Sequence, residues 1–283
     1  MKHIPRKRFG QHFLTDQGII HAIVDAIQPR PDEVIVEIGP GLGALTRPLL
    51  DRIPHLHVVE LDRDIIARLK KTWPPERLSI HEGDALNFDF AVIARPEGTS
   101  LRAERGKPRQ SSQGSDTKKI RVCGNLPYNI SSPLLFHLRD YADIISDMTF
   151  MLQKEVVDRM VAQPSTPAYG RLSVMLQRRY FMEALIDVPP EAFDPPPRVE
   201  SAVVRMVPKP RGAMIALDET LFGDIVAAAF SQRRKTLRNT LLGKITADEL
   251  LRLGINPGLR AENLALPEYE AITQHLSRPA DSS

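Results

Sequence analysis

The stretch VIVEIGPGLG at residues 34–43 decides the fold, because it is an apolar run that passes directly into closely spaced glycines. Such a run predicts a buried strand that ends in a sharp turn. Glycines let the backbone turn tightly and let a ligand approach main-chain N–H groups. The spacing Gly39-x-Gly41-x-x-Ala44 also fits the loosened dinucleotide fingerprint of dehydrogenases, so the turn alone leaves the ligand open.

Two residues of this turn favour S-adenosylmethionine over a dinucleotide. Pro40 lies inside the turn, and Glu37 stands two positions before the first glycine. A carboxylate there attracts the cationic methionine end of the cofactor, directly or through water, whereas it would repel a pyrophosphate. We therefore expect S-adenosylmethionine as the cofactor, with Gly39 and Gly41 forming part of its site.

Short apolar runs alternate with helical patterns along the first two thirds of the chain. Strands are predicted at 34–39, 55–61, 78–86, 120–127, 147–153 and 201–208. Helices are predicted at 16–28, 42–52 and 62–71 and after residue 127. In the last of these helices, Ser131 or Ser132 stands near the cap and Pro133 in the first turn. This alternation is typical of a parallel sheet with helices on both faces. The predicted fold class is α/β, a Rossmann-like sheet with a smaller C-terminal helical domain.

The domain boundary is predicted near 208–212, where prolines precede a helical pattern. Residues 1–208 would form the domain that binds S-adenosylmethionine, and residues 209–283 a separate helical domain. In the second domain, 218–242 has a helical pattern, and Thr246 with Glu249 predicts a capping box. Residues 95–119 are polar and nearly free of large apolar groups, which predicts a mobile surface loop or, alternatively, an RNA-contacting arm.

The charge distribution favours a polyanionic partner, although the net charge is only +3. Basic residues gather in two clusters that contain no acid, and such clusters suit nucleic acid, with a solvated helix face as the alternative. The clusters comprise Lys2, Arg6, Lys7 and Arg8, and then Arg233, Arg234, Lys235, Arg238 and Lys244. A single cysteine, Cys123, excludes an internal disulfide and fits a reducing cytoplasm, so we expect a cytoplasmic protein. We also expect no membrane span and no metal site, since no apolar run is long enough and no His/Cys/Asp spacing suggests ligands.

Acidic residues follow the second and third predicted strands. Glu60 ends the second strand, where a carboxylate can accept hydrogen bonds from both hydroxyls of a ribose. Asp84 follows the third strand, where a short acid can bind the exocyclic amine of the cofactor adenine, and Ala85 offers a backbone N–H to the ring. Each motif is common by itself. Because the two follow the glycine turn in this order, they support a binding site for an adenosine cofactor.

The sequence Asn125-Leu126-Pro127-Tyr128 after the fourth strand is the strongest indication of chemistry. The nitrogen of an adenine amine is a poor nucleophile because its lone pair is delocalised into the ring. Acceptors facing the N–H bonds, here the Asn125 side-chain oxygen and the Leu126 carbonyl, would stabilise the positive charge that develops on methylation. Pro127 biases Leu126 towards an extended conformation, and Tyr128 offers a face on which an extruded base can stack.

Two further segments offer supporting residues. FGQHFL at 9–14 would fold over the cofactor, with Phe13 and Leu14 packing, or would instead staple the first helix. Phe193 lies on the proline-rich segment AFDPPPRVES and would stack on the other face of the target base, with simple packing as the alternative.

In their order along the chain, these motifs resemble the ribosomal RNA adenine dimethyltransferases, a family that also includes the erythromycin-resistance methyltransferases. The resemblance is carried by FGQHFL, EIGPGLGALT, ELD, GDAL, NLPYNISSP, YGRLSV, FDPPPRVESAVVR, FSQRRKTLRNTL and RAENLALPEYEAI, and so spans nearly the whole chain. Two departures are visible: the 95–119 stretch is longer and more polar than is usual in the family, and position 12 is His where many relatives have Asn.

The resemblance implies dimethylation of two adjacent adenosines in the 3′-terminal hairpin loop of 16S rRNA, by four methyl transfers. It implies that His12, Leu14, Gly39, Glu60, Asp84 and Asn125 bind the cofactor, and that Asn125, Leu126, Pro127, Tyr128 and Phe193 surround the target adenine. It further implies a class I methyltransferase fold for the sheet, with residues 1–208 as the catalytic domain. By the same resemblance, the helical domain at 209–283 helps to dock the enzyme on RNA of an immature 30S subunit, where we expect it to act as a monomer.

Three other functions stay open at this point. The chain could methylate adenines of 23S RNA or DNA, although its C-terminal run RRKTLRN favours ribosomal RNA of the small subunit. It could be a ribosome-assembly factor whose catalysis is secondary, which the intact Asn125 and Tyr128 argue against. It could be a nicotinamide dehydrogenase, but such an enzyme needs a catalytic His or Tyr/Lys set, and this sequence has no plausible set in the required order.

Overall fold

The computed structural model describes residues 12–95 and 118–277. The predictions for the first basic cluster, for Phe9 to Gln11 and for most of the 95–119 stretch therefore lie outside the described residues. Among the residues described, no helix has the length and apolar character needed to cross a membrane.

A seven-stranded sheet forms the centre of the fold, in the order β4-β3-β2-β5-β6-β9-β7. Its strands are β2 (Val34–Ile38), β3 (Leu56–Glu60), β4 (Leu78–Glu82), β5 (Ile120–Asn125), β6 (Ile145–Gln153), β7 (Tyr180–Val188) and β9 (Ser201–Pro208). The pairs β4/β3, β3/β2, β2/β5 and β5/β6 are all parallel. Two short strands, β1 (Phe13–Leu14) and β8 (Phe193–Asp194), pair antiparallel in a separate ladder that sets Leu14 opposite Phe193. The predicted α/β class is confirmed.

Helices connect the strands and make up most of the C-terminal part. Those before residue 140 are α1 (Gln17–Ile27), α2 (Thr46–Leu50), α3 (Arg63–Thr72), α4 (Ala91–Ala94) and α5 (Ser131–Arg139). The later ones are α6 (Lys154–Val161), α7 (Arg171–Arg179), α8 (Glu219–Ala229), α9 (Leu237–Thr240), α10 (Ala247–Arg252) and α11 (Leu266–Ser277). Three-residue 3₁₀ turns lie at Pro190–Ala192, Arg211–Ala213 and Ala261–Asn263.

Helix α1 shows how the sequence determines one of these elements. Asp16 caps its start, since the Asp16 Oδ1 accepts a hydrogen bond from the Ile19 backbone N–H at 2.9 Å. Its apolar residues recur every three or four positions and are all buried: Ile20, Ile23, Val24 and Ile27. They join Ile35, Leu56 and Val58 of the sheet in one core, and each such side chain contributes about 1.5–3 kcal/mol by leaving water.

A buried ion pair anchors the end of α1 to the sheet. The guanidinium of Arg121, at the start of β5, binds the Asp147 carboxylate at 2.6 and 2.9 Å and the Glu33 carboxylate at 2.7 Å. The same guanidinium donates to the backbone carbonyls of Ile27, the last residue of the helix, and of Gln28, which caps it. Paired and hydrogen-bonded in this way, Arg121 can stay charged although it is buried.

Three histidines lie together at the edge of the sheet: His57 on β3, His55 just before that strand, and His81 on β4, which is the edge strand. His57 Nδ1 and His81 Nε2 are 3.1 Å apart, and the His55 ring lies 5.0 Å from the His57 ring. Burial, reinforced by the neighbouring histidines, lowers the pKa of His57 to about 4. His57 is therefore neutral near pH 7.

Two predicted helices begin or end at residues other than those the sequence suggested, and one predicted cap is confirmed. The helix predicted at 42–52 begins only at Thr46, because Gly41 and Gly43 adopt positive φ angles that a helix does not allow. The helical pattern at 218–242 is broken between α8 and α9, since residues 231–235 form turns and Thr236 bridges to Arg260. The capping box of Thr246 and Glu249 is confirmed.

The helix predicted after residue 127 is confirmed, with Ser131 next to its cap and Pro133 in its first turn. The Ser131 hydroxyl donates to the Pro127 carbonyl at 3.1 Å. Strand β7, in contrast, had no counterpart among the predicted strands. Its exposed residues do not alternate strictly with buried ones, which hides the usual two-residue period of a strand.

The chain divides into two compact units. Of the described residues, the first unit contains those up to 152 and 185–205, and the second contains 153–184 and those from 206 onwards. Residues 153–184, which the sequence analysis assigned to the catalytic domain, thus group with the C-terminal helices. Within the second unit, the buried Arg178 of α7 binds Glu270 of α11 at 2.5 Å and Glu219 of α8 at 2.8 Å, which ties these three helices together.

Candidate active site

A cavity of about 700 Å³ opens at the carboxyl ends of β2, β3 and β5, wholly within the first unit. Ligands of open α/β sheets bind at this edge, where the loops that follow the strands converge. Ile38 and Gly39 line the cavity from the end of β2, Glu60 from the end of β3, and Asn125 from the end of β5.

The glycine turn after β2 depends on backbone conformations that other residues rarely adopt. Gly39, Gly41 and Gly43 have φ angles of +65°, +54° and +88°. The Gly39 N–H donates to the Val59 carbonyl at 3.0 Å, which fixes the turn against β3. A Cβ atom on Gly43 would stand 2.7 Å from the Trp73 ring, so this position excludes a side chain on steric grounds as well.

Glu37 is a buried carboxyl at the wall of the cavity. Its side chain accepts a hydrogen bond from the Thr46 hydroxyl, with Oγ1 and Oε2 2.6 Å apart. Burial, with a smaller contribution from the charge of Glu60, outweighs this hydrogen bond and raises the pKa of Glu37 to about 7. Near neutral pH, Glu37 therefore exists in both protonation states, and a cation beside it would favour the ionised one.

Glu60 is held by the backbone that follows it. Its Oε1 accepts hydrogen bonds from the N–H groups of Leu61 and Asp62, both at 2.8 Å. Burial raises the pKa of Glu60, and these backbone hydrogen bonds offset part of that effect. The carboxylate is thus fixed in orientation at the cavity wall, as an acceptor for paired hydroxyls requires.

Asp84 and Ala85 form the third part of the wall. The Asp84 carboxylate accepts from the Leu86 N–H at 3.0 Å and from the Asn87 side-chain amide at 3.2 Å. These hydrogen bonds hold the turn after β4. A contact between the Asp84 carboxylate and a ligand amine would be made in addition to these two hydrogen bonds.

The turn at 125–128 has its polar groups arranged by specific contacts. The Asn125 side-chain nitrogen donates to the His12 carbonyl at 3.4 Å, so the amide oxygen is the group left to act as an acceptor. The Leu126 N–H donates to the Met151 carbonyl at 3.1 Å, on the neighbouring strand. The Pro127 carbonyl accepts from the Ile130 N–H at 3.1 Å and leads the chain into α5.

Tyr128 is half-buried and contacts residues from distant parts of the chain. Its hydroxyl lies 2.8 Å from the Ser201 hydroxyl. The His12 ring lies nearly parallel to the Tyr128 ring, at 24° and with the ring centres 6.1 Å apart. The His12 Nδ1 donates in turn to the Pro195 carbonyl at 2.8 Å.

Phe193 lines the cavity but is only 4% exposed, and it belongs to the buried core of the first unit. The β1/β8 ladder sets it opposite Leu14, and the Thr15 N–H strengthens this junction by donating to the Ala192 carbonyl at 2.8 Å. Phe193 therefore has a packing role in this structure. Its stacking on a target base stays a prediction.

The structure brings every site residue named from the sequence to one cavity. They are His12, Leu14, Gly39, Gly41, Glu60, Asp84, Ala85, Asn125, Leu126, Pro127, Tyr128 and Phe193. Sequence reasoning missed Thr46 and Ser201, the partners of Glu37 and Tyr128. Both lie inside recognised motifs, GALT and VESAVV, but hydroxyl residues are too common for their partners to be read from those motifs.

The residues present fit S-adenosylmethionine. Two buried carboxylates, Glu37 and Glu60, face a cavity that also contains the positive-φ glycine turn, where a ligand can approach the backbone closely. In residues 12–95 and 118–277, no cluster of His, Cys, Asp and Glu is arranged to hold a metal ion.

Comparisons with known proteins identify the family. The model of the family described as ribosomal RNA adenine dimethylase matches residues 2–277. A protein of Thiobacillus denitrificans named ribosomal RNA small subunit methyltransferase A is 62% identical over 275 residues, which cover 97% of this chain and 99% of that protein. A protein of Chromobacterium violaceum with the same name is 54% identical and covers 97% of each chain.

Solved structures with low sequence identity share the fold. A dimethyladenosine transferase from Plasmodium falciparum superimposes with a TM-score of 0.74 at 22% identity, over 93% of this chain and 97% of that one. The 23S rRNA methyltransferase ErmE superimposes with a TM-score of 0.66 at 22% identity, over 94% and 100% of the two chains. These matches confirm the predicted class I methyltransferase fold. Because the family model matches residues 2–277 and the cavity has the geometry described above, the chain belongs to the ribosomal RNA adenine dimethylase family of methyltransferase enzymes.

Proposed function

We propose that this enzyme uses S-adenosylmethionine to dimethylate two adjacent adenosines in the 3′-terminal hairpin loop of 16S rRNA, during maturation of the 30S subunit. Membership of the family and the name of its 62% identical relative support the reaction and the substrate. The observation that carries the proposal is that the Asn125–Tyr128 turn and the carboxylates Glu37 and Glu60 line the same cavity.

In this proposal, each wall of the cavity binds one part of the cofactor. Glu60 accepts hydrogen bonds from the ribose hydroxyls, Glu37 attracts the cationic methionine end, and Asp84 with Ala85 contacts the adenine. His12, Leu14, Gly39, Gly41 and Asn125 complete the cofactor site. When bound, S-adenosylmethionine supplies a methyl group already activated by its sulfonium, so the chain needs no covalent intermediate.

The turn at 125–128 acts on the target amine. The Asn125 side-chain oxygen and the Leu126 carbonyl accept its N–H groups and stabilise the positive charge that develops on nitrogen. Because the Asn125 amide nitrogen already donates to the His12 carbonyl, the side chain presents its oxygen without first having to reorient. Tyr128 supports the face of the adenine, and Pro127 and Phe193 enclose it.

A base inside a duplex cannot reach this cavity, so the enzyme acts on loop adenines that it can extrude. In the second unit, the basic residues of the second cluster are all exposed and suit contacts with RNA phosphates; they are Arg233, Arg234, Lys235, Arg238 and Lys244. We assign residues 1–208 to catalysis and 209–283 to docking on the ribosome. The proposal places the enzyme in the cytoplasm as a monomer acting on immature 30S subunits.

Incubation with labelled S-adenosylmethionine tests the proposal. Unmethylated 30S subunits, purified 23S RNA and DNA would be offered in parallel, and the modified bases mapped by mass spectrometry. We expect label in two adjacent adenosines of 16S rRNA and in neither of the other substrates. Preferential methylation of 23S RNA or DNA would overturn the assignment. Unchanged transfer by Asn125→Ala would overturn the role of the turn.

A further inference from the structure

The hydroxyl groups of Tyr128 and Ser201 form a hydrogen bond across 73 positions of sequence. Ser201 is the first residue of β9, and its relative exposure is 0%. Its Oγ lies 2.8 Å from the Tyr128 Oη, a normal length for a bond between two hydroxyls. Both residues belong to the first unit, so this contact lies within one compact body.

The bond defines what Tyr128 contributes to the site. With its hydroxyl bonded to Ser201, Tyr128 presents its ring to the cavity rather than a reactive oxygen. Burial also raises the pKa of the Tyr128 hydroxyl, which keeps it protonated near neutral pH. A stacking role depends on where the ring lies, and the hydroxyl is the point furthest from the backbone, where a single bond best restrains the direction of the ring's long axis.

The stacking contact with His12 restrains the position of the ring less tightly. The His12 ring lies 6.1 Å from the Tyr128 ring, centre to centre, and nearly parallel to it. Stacking of this kind tolerates sliding and tilting, because its energy varies slowly with offset. A hydrogen bond to a buried strand residue is directional and is costly to leave unmade.

We propose that Ser201 is a positioning residue that fixes the Tyr128 ring as the platform for the target adenine. This inference rests on the proposed function. It assigns Ser201 no contact with the substrate or the cofactor, and Ser201 acts through the Tyr128 hydroxyl.

A double-mutant cycle tests the inference. Ser201→Ala, Tyr128→Phe and the double variant would be compared with the wild type for kcat on unmethylated 30S subunits and for Kd of S-adenosylmethionine. Loss of one hydrogen bond predicts that each single variant lowers kcat about threefold to tenfold. Since both changes remove the same bond, the double variant should be no slower than the slower single variant. The Kd should stay within about twofold of the wild-type value throughout.

A spectroscopic readout separates positioning from general stability. An RNA hairpin with 2-aminopurine at the target position reports stacking as quenched fluorescence, and Ser201→Ala and Tyr128→Phe should both reduce that quenching. Ser173→Ala is a matched control, because Ser173 is also fully buried and donates to the Arg159 carbonyl in the second unit. It should lower the melting temperature without changing the quenching.

The outcomes are distinguishable. A wild-type enzyme that does not methylate 16S rRNA would overturn the proposed function and this inference with it. An active wild type with additive losses in the double variant, or with unchanged kcat and quenching in Ser201→Ala, would overturn the inference alone. If Ser201→Ala does not fold, Tyr128→Phe removes the same hydrogen bond while keeping the serine, and unchanged kcat and quenching in that variant would again refute the positioning role.

Discussion

The substitution Thr46→Val removes the hydroxyl that donates to the buried Glu37 carboxyl at 2.6 Å and leaves the side-chain volume nearly unchanged. A hydrogen bond to a charged group contributes about 1.5–3 kcal/mol, and 1.36 kcal/mol corresponds to about one unit of pKa. The pKa of Glu37, already raised to about 7 by burial, should therefore rise by about one to two further units in the variant.

The sign of the effect on cofactor binding follows from the charge. Under the proposed function, the cationic methionine end binds the ionised form of Glu37, so a higher pKa leaves less of the binding form at a given pH. At pH 7.5 the variant should bind S-adenosylmethionine roughly tenfold more weakly than the wild type, and the difference should shrink towards pH 9 as Glu37 ionises in both.

Isothermal titration calorimetry at several pH values measures this dependence. Repeating it in buffers of different ionisation enthalpy also counts protons, and below pH 7 the wild type should release protons on binding. Thr46→Ser keeps the hydroxyl and serves as the control. An equal loss of affinity at pH 7.5 and pH 9 would refute the reasoning, because a purely steric effect of the substitution does not depend on protonation.

Three other perturbations test different parts of the structure. Asn125→Ala should lower the rate of methyl transfer by about 10²–10³ while changing the Kd of S-adenosylmethionine far less, since the acceptor acts mainly on the developing charge; comparable losses in single-turnover rate and in binding would contradict this. Gly43→Ala should lower the free energy of unfolding by about 1–3 kcal/mol in urea titrations, because its φ is +88° and a Cβ would overlap Trp73. Gly212→Ala is the control and should have little effect, because a Cβ there meets nothing within 4 Å. His57 has a folded pKa of about 4, below its unfolded value, so its contribution to stability is present above about pH 6.5 and is lost as the pH falls towards 4. His57→Gln should therefore flatten the fall in unfolding free energy across this range, whereas a slope as steep as that of the wild type would show that other groups cause it.

Much of the sheet was predictable because each strand ends in a local motif. The strands at 34–38, 56–60 and 120–125 lie where the apolar runs placed them, and the site residues that follow them meet at one edge of the sheet. That convergence follows from parallel pairing, since the carboxyl ends of parallel strands lie side by side. The local sequence pattern and the parallel topology together were sufficient to predict these strands and the meeting of the site residues at one edge.

Long-range contacts were the part that the sequence did not reveal. The bond between Tyr128 and Ser201 joins two motifs that have no local dependence on each other. The pairing of Leu14 with Phe193 likewise leaves no periodic pattern, because each strand is only two residues long. The break between α8 and α9 was missed because residues 231–235, SQRRK, contain neither glycine nor proline.

The short ladder between β1 and β8 has a consequence for biosynthesis. The glycine turn, the acidic residues and Asn125 all emerge from the translating ribosome well before residue 193, yet Leu14 has no strand partner until β8 is made. Under the proposed function, a nascent chain that stops near residue 150 already contains the other residues that line the described cavity but lacks Phe193. The contact between Phe193 and Leu14 is thus made only after about two thirds of the polypeptide has been synthesised.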